Sequence, residues 1–163
     1  MATSQEHTVK AFDQDIGQLR GMISQMGGLA EKAIAGAMTA LQRGDPDLAA
    51  EVRADDKKID AIEAEVERTV VRIIALRAPM ADDLREVVAA LKIAGVVERI
   101  ADYAKNIAKR VPLLESDHRI EPVSMLPAMA RMAADMVTDV LNAFAARDPA
   151  AALAVCERDH ALD

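Results

Sequence analysis

The chain has 163 residues and a formal net charge of −7, with 52% hydrophobic but only 2% aromatic residues. This length is enough for one domain with a sizeable core. The acidic balance argues against a nucleic-acid partner, because phosphate binding needs a basic surface. No apolar run reaches the ~20 residues that span a bilayer, and the opening MATSQEHTVK lacks the apolar core of a signal peptide. We therefore expect a cytoplasmic protein.

The first predicted helix runs from about Ser4 to Arg43, where apolar residues recur at spacings of three and four. Gly27 and Gly28 interrupt this pattern and indicate either a kink or a close contact with another helix. Residues 44–46, Gly-Asp-Pro, then end the helix and begin the next one, because Gly is favoured just past a helix end and Pro at a helix start.

Four further helices are predicted. The second covers about 46–77 and is broken by Ala78-Pro79, and the third covers about 82–111 and ends at Pro112. A polar connector, 115–121, leads to a fourth helix over about 122–146, and a fifth begins at Asp148-Pro149. Long helices rich in Ala and Leu with short connections predict an all-α, up-down helical bundle.

An internal repeat supports the same architecture. At an offset of 103 residues, segment 43–60 aligns with segment 146–163, and the helix boundary coincides in both. The aligned identities are Asp45/Asp148, Pro46/Pro149, Ala49/Ala152, Val52/Val155, Asp56/Asp159 and Asp60/Asp163. We predict two three-helix repeats, 1–114 and 122–163, of which the second is incomplete. The apolar surface left open would be covered by a tail or by a partner chain, and we expect a homodimer.

Carboxylates follow the edge of the packed face on two of these helices. On the third helix, Glu98, Asp102 and Asn106 stand at steps of four beside the apolar stripe. On the second, Asp60, Glu63 and Glu67 lie within about 40° of Asp56 on a helical projection. Like charges four residues apart cost a few tenths of a kcal/mol. A hard cation such as Mg²⁺, Mn²⁺ or iron between the helices would relieve that repulsion.

Two other interpretations of the acidic residues remain open. The rows are also typical of solvated faces paired with basic residues, and these are available at Lys57, Lys58, Arg68, Arg99, Lys105 and Lys109. This alternative is a metal-free helical scaffold. Glu157 and His160 match the Glu-x-x-His spacing of carboxylate-bundle metal oxidoreductases, although the other repeat has no histidine there. No catalytic constellation is visible, so we predict that the protein is not an enzyme. We expect the single cysteine, Cys156, to be a small buried residue.

Several stretches resemble the PhoU family of phosphate-uptake regulators. They are residues 76–110, residues 55–68 and the opening TVKAFDQDIGQL. The family pattern is matched at 84–85 (Leu-Arg), 91–93 (Leu-Lys-Ile), 98–102 (Glu-Arg-Ile-Ala-Asp) and 106–107 (Asn-Ile). Two departures are Ala101, where the family often has Gly, and Gly95-Val96-Val97, where an acidic residue and Leu commonly precede the Glu.

The resemblance implies a six-helix bundle and a cytoplasmic adaptor without turnover. Such an adaptor couples the ATPase of a phosphate ABC transporter to a sensor histidine kinase, associates with the membrane through these partners, and represses the phosphate-starvation response. The resemblance also implies multinuclear clusters of Fe, Zn, Mn or Mg, with no organic cofactor. Carried over to this sequence, the metal ligands are Glu98, Asp102, Asp56 and Asp60, with Asp159 and Asp163 in a second cluster.

Overall fold

The computed structural model describes residues 4–114 and 125–159. Within these ranges the protein consists of helices and their connections, without a β-strand. The α-helices are α1 (Ser4–Arg43), α2 (Pro46–Arg77), α3 (Ala81–Arg110), α4 (Leu126–Ala146) and α5 (Pro149–Asp159), and a short 3₁₀ turn, Val111–Leu113, follows α3. The predicted all-α class is confirmed, and the bounds predicted for the first two helices are the observed ones.

The connections between helices follow from capping chemistry. The side chain of Asp45 accepts hydrogen bonds from the backbone N–H groups of Asp47 (3.1 Å) and Leu48 (3.0 Å), which would otherwise lack partners in the first turn of α2. At the other end of α2, Ala78 adopts a left-handed conformation, and its N–H bonds the carbonyl of Ile74. The chain then turns into α3, so α2 and α3 form an antiparallel hairpin.

The α4–α5 turn has the same geometry as the α1–α2 turn, 103 residues earlier. Gly44 and Arg147 both have positive φ, +62° and +53°. Asp148 caps α5 through two backbone N–H groups, as Asp45 caps α2, and each of these aspartates donates its own N–H at 2.9 Å to a carbonyl five residues back. The two turns that the predicted repeat aligns therefore share one backbone geometry.

The hydrophobic core lies among α1, α2 and α3, each of which packs against the other two. Its largest fully buried side chains include Leu19, Ile23, Met26, Ile59 and Ile73. Fully burying an aliphatic side chain of this size contributes about 1.5–3 kcal/mol. The α1–α2–α3 unit therefore contains most of the apolar packing that stabilises the described fold.

The other two helices attach through α1. Helix α4 packs along α1, and α5 packs on α4. At Gly27, α1 and α4 approach so closely that an added Cβ would overlap Cδ1 of Leu141, whereas a Cβ at Gly28 would meet nothing within 4 Å. The interruption predicted at these glycines is thus a close helix contact, and only Gly27 makes it.

An ion network joins three parts of the structure near the α4–α5 turn. Glu86 on α3 accepts a hydrogen bond from Nε of Arg20 on α1 at 2.9 Å, and its other carboxylate oxygen pairs with Arg147. The Glu86 side chain is only 13% exposed, so these pairs are better shielded from solvent than ordinary surface ion pairs. They fix α1 and α3 relative to the turn between α4 and α5.

Two predictions are wrong or fall outside the described residues. Cys156 is exposed on α5, so the expectation that it is buried is wrong; the buried residue of that turn is its neighbour Val155. The connector at 115–121 and the predicted start of the fourth helix lie outside the described residues, so the boundary between the repeats stays a prediction. None of the described helices has the length and apolar character that crossing a membrane requires.

Candidate functional site

The seam between α2 and α3 brings the two predicted rows of carboxylates together. The helices run antiparallel, and Oε1 of Glu63 on α2 lies 3.5 Å from the position that a Cβ would take at Gly95 on α3. Because Gly95 has no side chain, the Glu63 carboxylate can rest against the backbone of α3. We define the acidic seam as Asp56, Asp60 and Glu63 on α2 together with Glu98 and Asp102 on α3.

Lys105 holds one end of the acidic seam. Its ammonium group pairs with Asp56 across the hairpin and with Asp102 on its own helix, the latter at 2.8 Å. Asp56 is only 4% exposed, so its charge needs this partner. The hydrogen bonds and charges of Asp102 and Asp56 raise the pKa of Lys105 above its ordinary value, and the side chain therefore stays charged at neutral pH.

The middle of the acidic seam carries uncompensated negative charge. Burial raises the pKa of Glu98 above its ordinary value, and repulsion from the other carboxylates raises it further. The repelling groups are Asp102, Glu63, Asp60 and Asp56. Among the described residues, no lysine or arginine forms an ion pair with Glu98, Glu63 or Asp60. A cation that arrives from outside the chain would therefore be favoured here.

The acidic seam offers oxygen donors only, which suits hard cations such as Mg²⁺, Mn²⁺ or iron. Within the described ranges, however, no three Asp, Glu, His or Cys side chains are arranged so that they could hold a metal ion. One physical reason is Lys105, which occupies the oxygens of Asp56 and Asp102. A metal ion would have to displace this ammonium group to reach both carboxylates.

The six predicted metal ligands fall into three groups. Asp56, Asp60, Glu98 and Asp102 belong to the acidic seam, and among these four Asp60 is the exposed side chain. Asp159 is exposed at the end of α5. Asp163 lies outside the described residues, as does His160, so the second cluster and the Glu-x-x-His pattern stay predictions. Glu157 itself is exposed on α5.

The sequence alone did not identify three contributors to this site. Lys105 was one of several basic residues available, Glu63 was counted in a row but not as a ligand, and Gly95 was noted only as a departure from a pattern. The signal that identifies them is the register of the hairpin. Once Ala78-Pro79 is taken as the turn, residues whose numbers add up to about 158 face each other, which pairs Glu63 with Gly95 and Asp56 with Asp102.

A separate apolar groove lies on another face of α3. It has a volume of about 820 Å³ and is lined by α3, by α4 and by the start of α5, with Ile93, Val97, Leu141 and Phe144 among its walls. None of the five acidic-seam residues lines it. The molecule therefore presents two distinct surfaces, an acidic one on the α2–α3 hairpin and an apolar one between α3 and α4.

Comparison with known proteins identifies the family. A family model described as PhoU domain matches residues 23–111, more than half of the chain. The chain belongs to the PhoU family. The match includes the second half of α1 and all of α2 and α3, so the whole acidic seam lies within the PhoU domain.

Two curated PhoU relatives show how far the similarity extends. The phosphate-specific transport system accessory protein PhoU homolog of Zymomonas mobilis is 56% identical over 157 residues, which cover 96% of this chain and 66% of that protein. The homolog of Caulobacter vibrioides is 40% identical over 97% of this chain and 69% of its own length. The chain therefore spans about two-thirds of the length of these PhoU relatives.

Solved PhoU structures share the fold. The crystal structure of PhoU from Pseudomonas aeruginosa has a TM-score of 0.86 and 33% sequence identity, covering 92% of this chain and 72% of that chain. The phosphate transport system regulatory protein PhoU from Streptococcus pneumoniae gives a TM-score of 0.84 at 27% identity, with 91% and 70% covered. The similarity therefore includes α4 and α5 as well as the residues matched by the family model.

Proposed function

We propose that this protein is an accessory regulator of phosphate uptake, which acts in the cytoplasm as a negative regulator of phosphate-starvation signalling. In this role it is an adaptor between the ATPase of the phosphate ABC transporter and a sensor histidine kinase, and it reaches the membrane through these partners. The observation that carries the proposal is the 56% identity, over 96% of the chain, to a phosphate-specific transport system accessory protein.

An adaptor transmits a signal only if its partners bind one of its conformational states better than another. The acidic seam suits a binding role of this kind, because charged surfaces select partners and accelerate their association. No turnover is needed, and the relatives are named as accessory and regulatory proteins. We therefore retain the prediction that the protein is not an enzyme.

The test of the adaptor role has a biochemical and a genetic part. In the biochemical part, the tagged protein should co-purify with the transporter ATPase and with the kinase. In the genetic part, deleting the gene should switch on a phosphate-starvation reporter at high phosphate, and the intact gene should restore repression. If neither partner is retained and the reporter is unchanged, the proposal is wrong.

Metal binding is a separate part of the proposal. Glu98, Asp102, Asp56 and Asp60 would hold an Fe, Zn, Mn or Mg ion, and no organic cofactor is expected. A bound metal would supply positive charge to the acidic seam, where Glu98 is surrounded by other carboxylates. Elemental analysis of protein never exposed to chelator tests this, and Glu98→Ala combined with Asp102→Ala should abolish bound metal while helicity stays intact.

A metal-free helical scaffold is the second candidate, and one observation favours it. Lys105 already forms ion pairs with both Asp56 and Asp102, so neither carboxylate needs a metal ion as its partner. If elemental analysis finds no metal in protein that still represses the reporter, this candidate replaces the metal-binding one without affecting the adaptor role.

Self-association is the last part of the proposal. We retain the expected homodimer, because the groove between α3 and α4 leaves apolar side chains such as Ile93 and Phe144 open to a covering chain. Sedimentation velocity over a range of concentrations should reveal a dimer, and a monomer at every concentration would exclude it.

A further inference from the structure

The acidic seam continues into an apolar patch toward the α2–α3 turn. Eleven residues are close to three full helical turns. Ile74 lies eleven residues after Glu63 and is therefore on the same face of α2. Leu84 lies eleven residues before Gly95 and is on the same face of α3. Because the helices are antiparallel, both steps lead toward the turn. We define the apolar end as Val71 and Ile74 on α2 with Leu84 and Val88 on α3.

The side chains of the apolar end are exposed although they are large. Val71 is 61% exposed and Ile74 is 41% exposed, and the two residues on α3 are also open to solvent. Single exposed apolar residues are common on protein surfaces and need no explanation. Four of them on facing positions of two packed helices form a patch, and such patches mark places where proteins dock.

The acidic seam and the apolar end together form one face of the α2–α3 hairpin, and the two halves of this face differ in charge. Beyond the apolar end, α2 presents Glu67, Glu63 and Asp60, and α3 presents Glu98 and Asp102. Among the described residues, Lys105 is the only basic side chain that forms an ion pair with any of these five acids. The face therefore runs from apolar to strongly acidic over roughly 20 Å, the length of about 14 helical residues.

We infer that this face docks a helix of a partner protein, with apolar side chains on one half of its contacting stripe and lysine or arginine on the other. Two packed helices form a shallow groove along their seam, and an amphipathic helix fits such a groove through residues at spacings of three and four. The charge of the seam selects a basic helix, and the apolar end fixes its direction.

Lys105 shows how the basic half of the partner would be held. Its ammonium group binds one carboxylate from each helix of the hairpin. A lysine or arginine from the partner would bind Glu63 and Glu98 in the same manner. Glu63 lies about two helical turns beyond Asp56, and Glu98 about one helical turn before Asp102, so both are closer to the connection between α2 and α3. The inference rests on the proposed adaptor function, because it names the surface and the kind of partner for that role.

A synthetic helix tests the surface without knowledge of the natural partner. The probe is a labelled peptide of about 18 residues, long enough to cover the face. Its contacting stripe has leucines in one half and lysines in the other. The control peptide has glutamate in place of each lysine. In fluorescence anisotropy the probe should bind with a dissociation constant on the order of 10 μM, and more weakly as salt rises, while the control should not bind.

Matched variants of the protein then locate the binding surface. Glu63→Gln combined with Glu98→Gln should weaken probe binding about tenfold, because it removes the unpaired acids. Leu84→Ser should weaken it about fivefold through the loss of apolar contact. The controls are Glu51→Gln with Asp135→Asn, which remove the same charge elsewhere, and Leu153→Ser on α5; these should leave binding unchanged.

Three results would overturn the inference. They are failure of the probe to bind at about 100 μM protein, equal binding of the glutamate control, and equal weakening by the control variants, which would indicate non-specific attraction. Failure of the adaptor role would appear separately, as a lack of co-purification with the transporter and the kinase by a protein that still binds the probe.

Discussion

Asp56 on α2 and Lys105 on α3 form an ion pair across the hairpin in which the carboxylate is almost completely buried. The turn that connects these two helices is at residues 78–80, so the ion pair joins them at a point about 25 residues along each helix from the turn. The same ammonium group also binds Asp102, so one lysine is the shared partner of two carboxylates. Removing it would leave a buried charge without a partner, which is far more costly than losing a surface ion pair.

Replacing Lys105 with methionine is therefore expected to lower the free energy of unfolding by about 2–4 kcal/mol at pH 7. The pKa of Lys105 is raised in the folded state, so its stabilisation is fully present below pH 10.5 and is lost only as the pH rises through the raised pKa. Urea denaturation at pH 7 and pH 9 should thus give the same difference between wild type and variant. Lys57→Met, at an exposed position, is the control, and an equal effect of both variants would contradict the prediction.

Replacing Glu98 with glutamine should stabilise the protein. The pKa of Glu98 is raised, so the ionised carboxylate opposes folding, and this opposition develops as the pH rises above the ordinary range of a glutamate. We expect a gain of about 0.5–1 kcal/mol at pH 7 that disappears near pH 4. Urea denaturation at the two pH values measures it.

Glu67→Gln is the control for Glu98→Gln. Glu67 is an exposed acid on α2, so its substitution should change stability by less than about 0.5 kcal/mol. A loss of stability in the Glu98 variant at pH 7 would mean that the carboxylate has a stabilising partner. If Glu98→Gln stabilises the protein but impairs repression, the repulsion at this position is retained for function.

The sequence predicts the helices well because their signals are local. Helix ends at Asp45, Ala78 and Asp148 follow from capping and turn chemistry within a few residues, and the repeat follows from direct alignment. The acidic rows are less well predicted, because a helical projection places Asp56 and Glu67 on one face although Asp56 is buried and Glu67 is exposed. The difference depends on how α3 lies across α2, which no local pattern contains.

Contacts between distant residues account for the other errors. The role of Lys105 depends on a partner 49 positions away, and the burial of Cys156 was judged from its residue type alone. Glu86 was not identified at all, although it joins Arg20 and Arg147, since these three residues are far apart in the chain and none belongs to a motif. Their positions follow only from the packing of α3 and α4 on α1.

The ion pairs of Asp55 should make stability fall in acid. Asp55 on α2 binds Lys32 on α1 at 2.8 Å and Lys58 at 2.6 Å, and these hydrogen bonds lower the pKa of Asp55 to about 2. Its stabilisation is therefore present above about pH 4 and is lost as the pH falls toward 2. Because the side chains are largely solvated, Asp55→Asn should cost only about 0.5–1 kcal/mol at pH 7.

Denaturation of wild type and Asp55→Asn at pH 7 and pH 2.5 measures this effect, and the difference between the two proteins should shrink at the lower pH. High salt at pH 7 should also reduce it, because the pairs are exposed to screening. Glu67→Gln, at an exposed position on the same helix, should show no such dependence. A difference that persists at pH 2.5 would mean that Asp55 stabilises the fold through something other than its charge.

Substitutions at the adjacent glycines of α1 should separate helix propensity from the α1–α4 contact. Gly28→Ala meets open space and should raise the free energy of unfolding by about 0.5–1 kcal/mol, because alanine favours the helix. Gly27→Ala gains the same propensity, but its Cβ must displace the end of Leu141. We expect Gly27→Ala to be less stable than Gly28→Ala by about 1 kcal/mol or more.

The double variant with Leu141→Ala removes the obstructing side chain and should abolish the difference between the two glycine substitutions. Urea denaturation of the six proteins, with and without Leu141→Ala, completes the comparison. Equal stability of Gly27→Ala and Gly28→Ala in the presence of Leu141 would mean that α4 moves to accommodate the added Cβ without a loss of folding free energy. The close approach at Gly27 would then reflect a loosely held α4, and the attachment of α4 and α5 would depend on Glu86 and its two arginines instead.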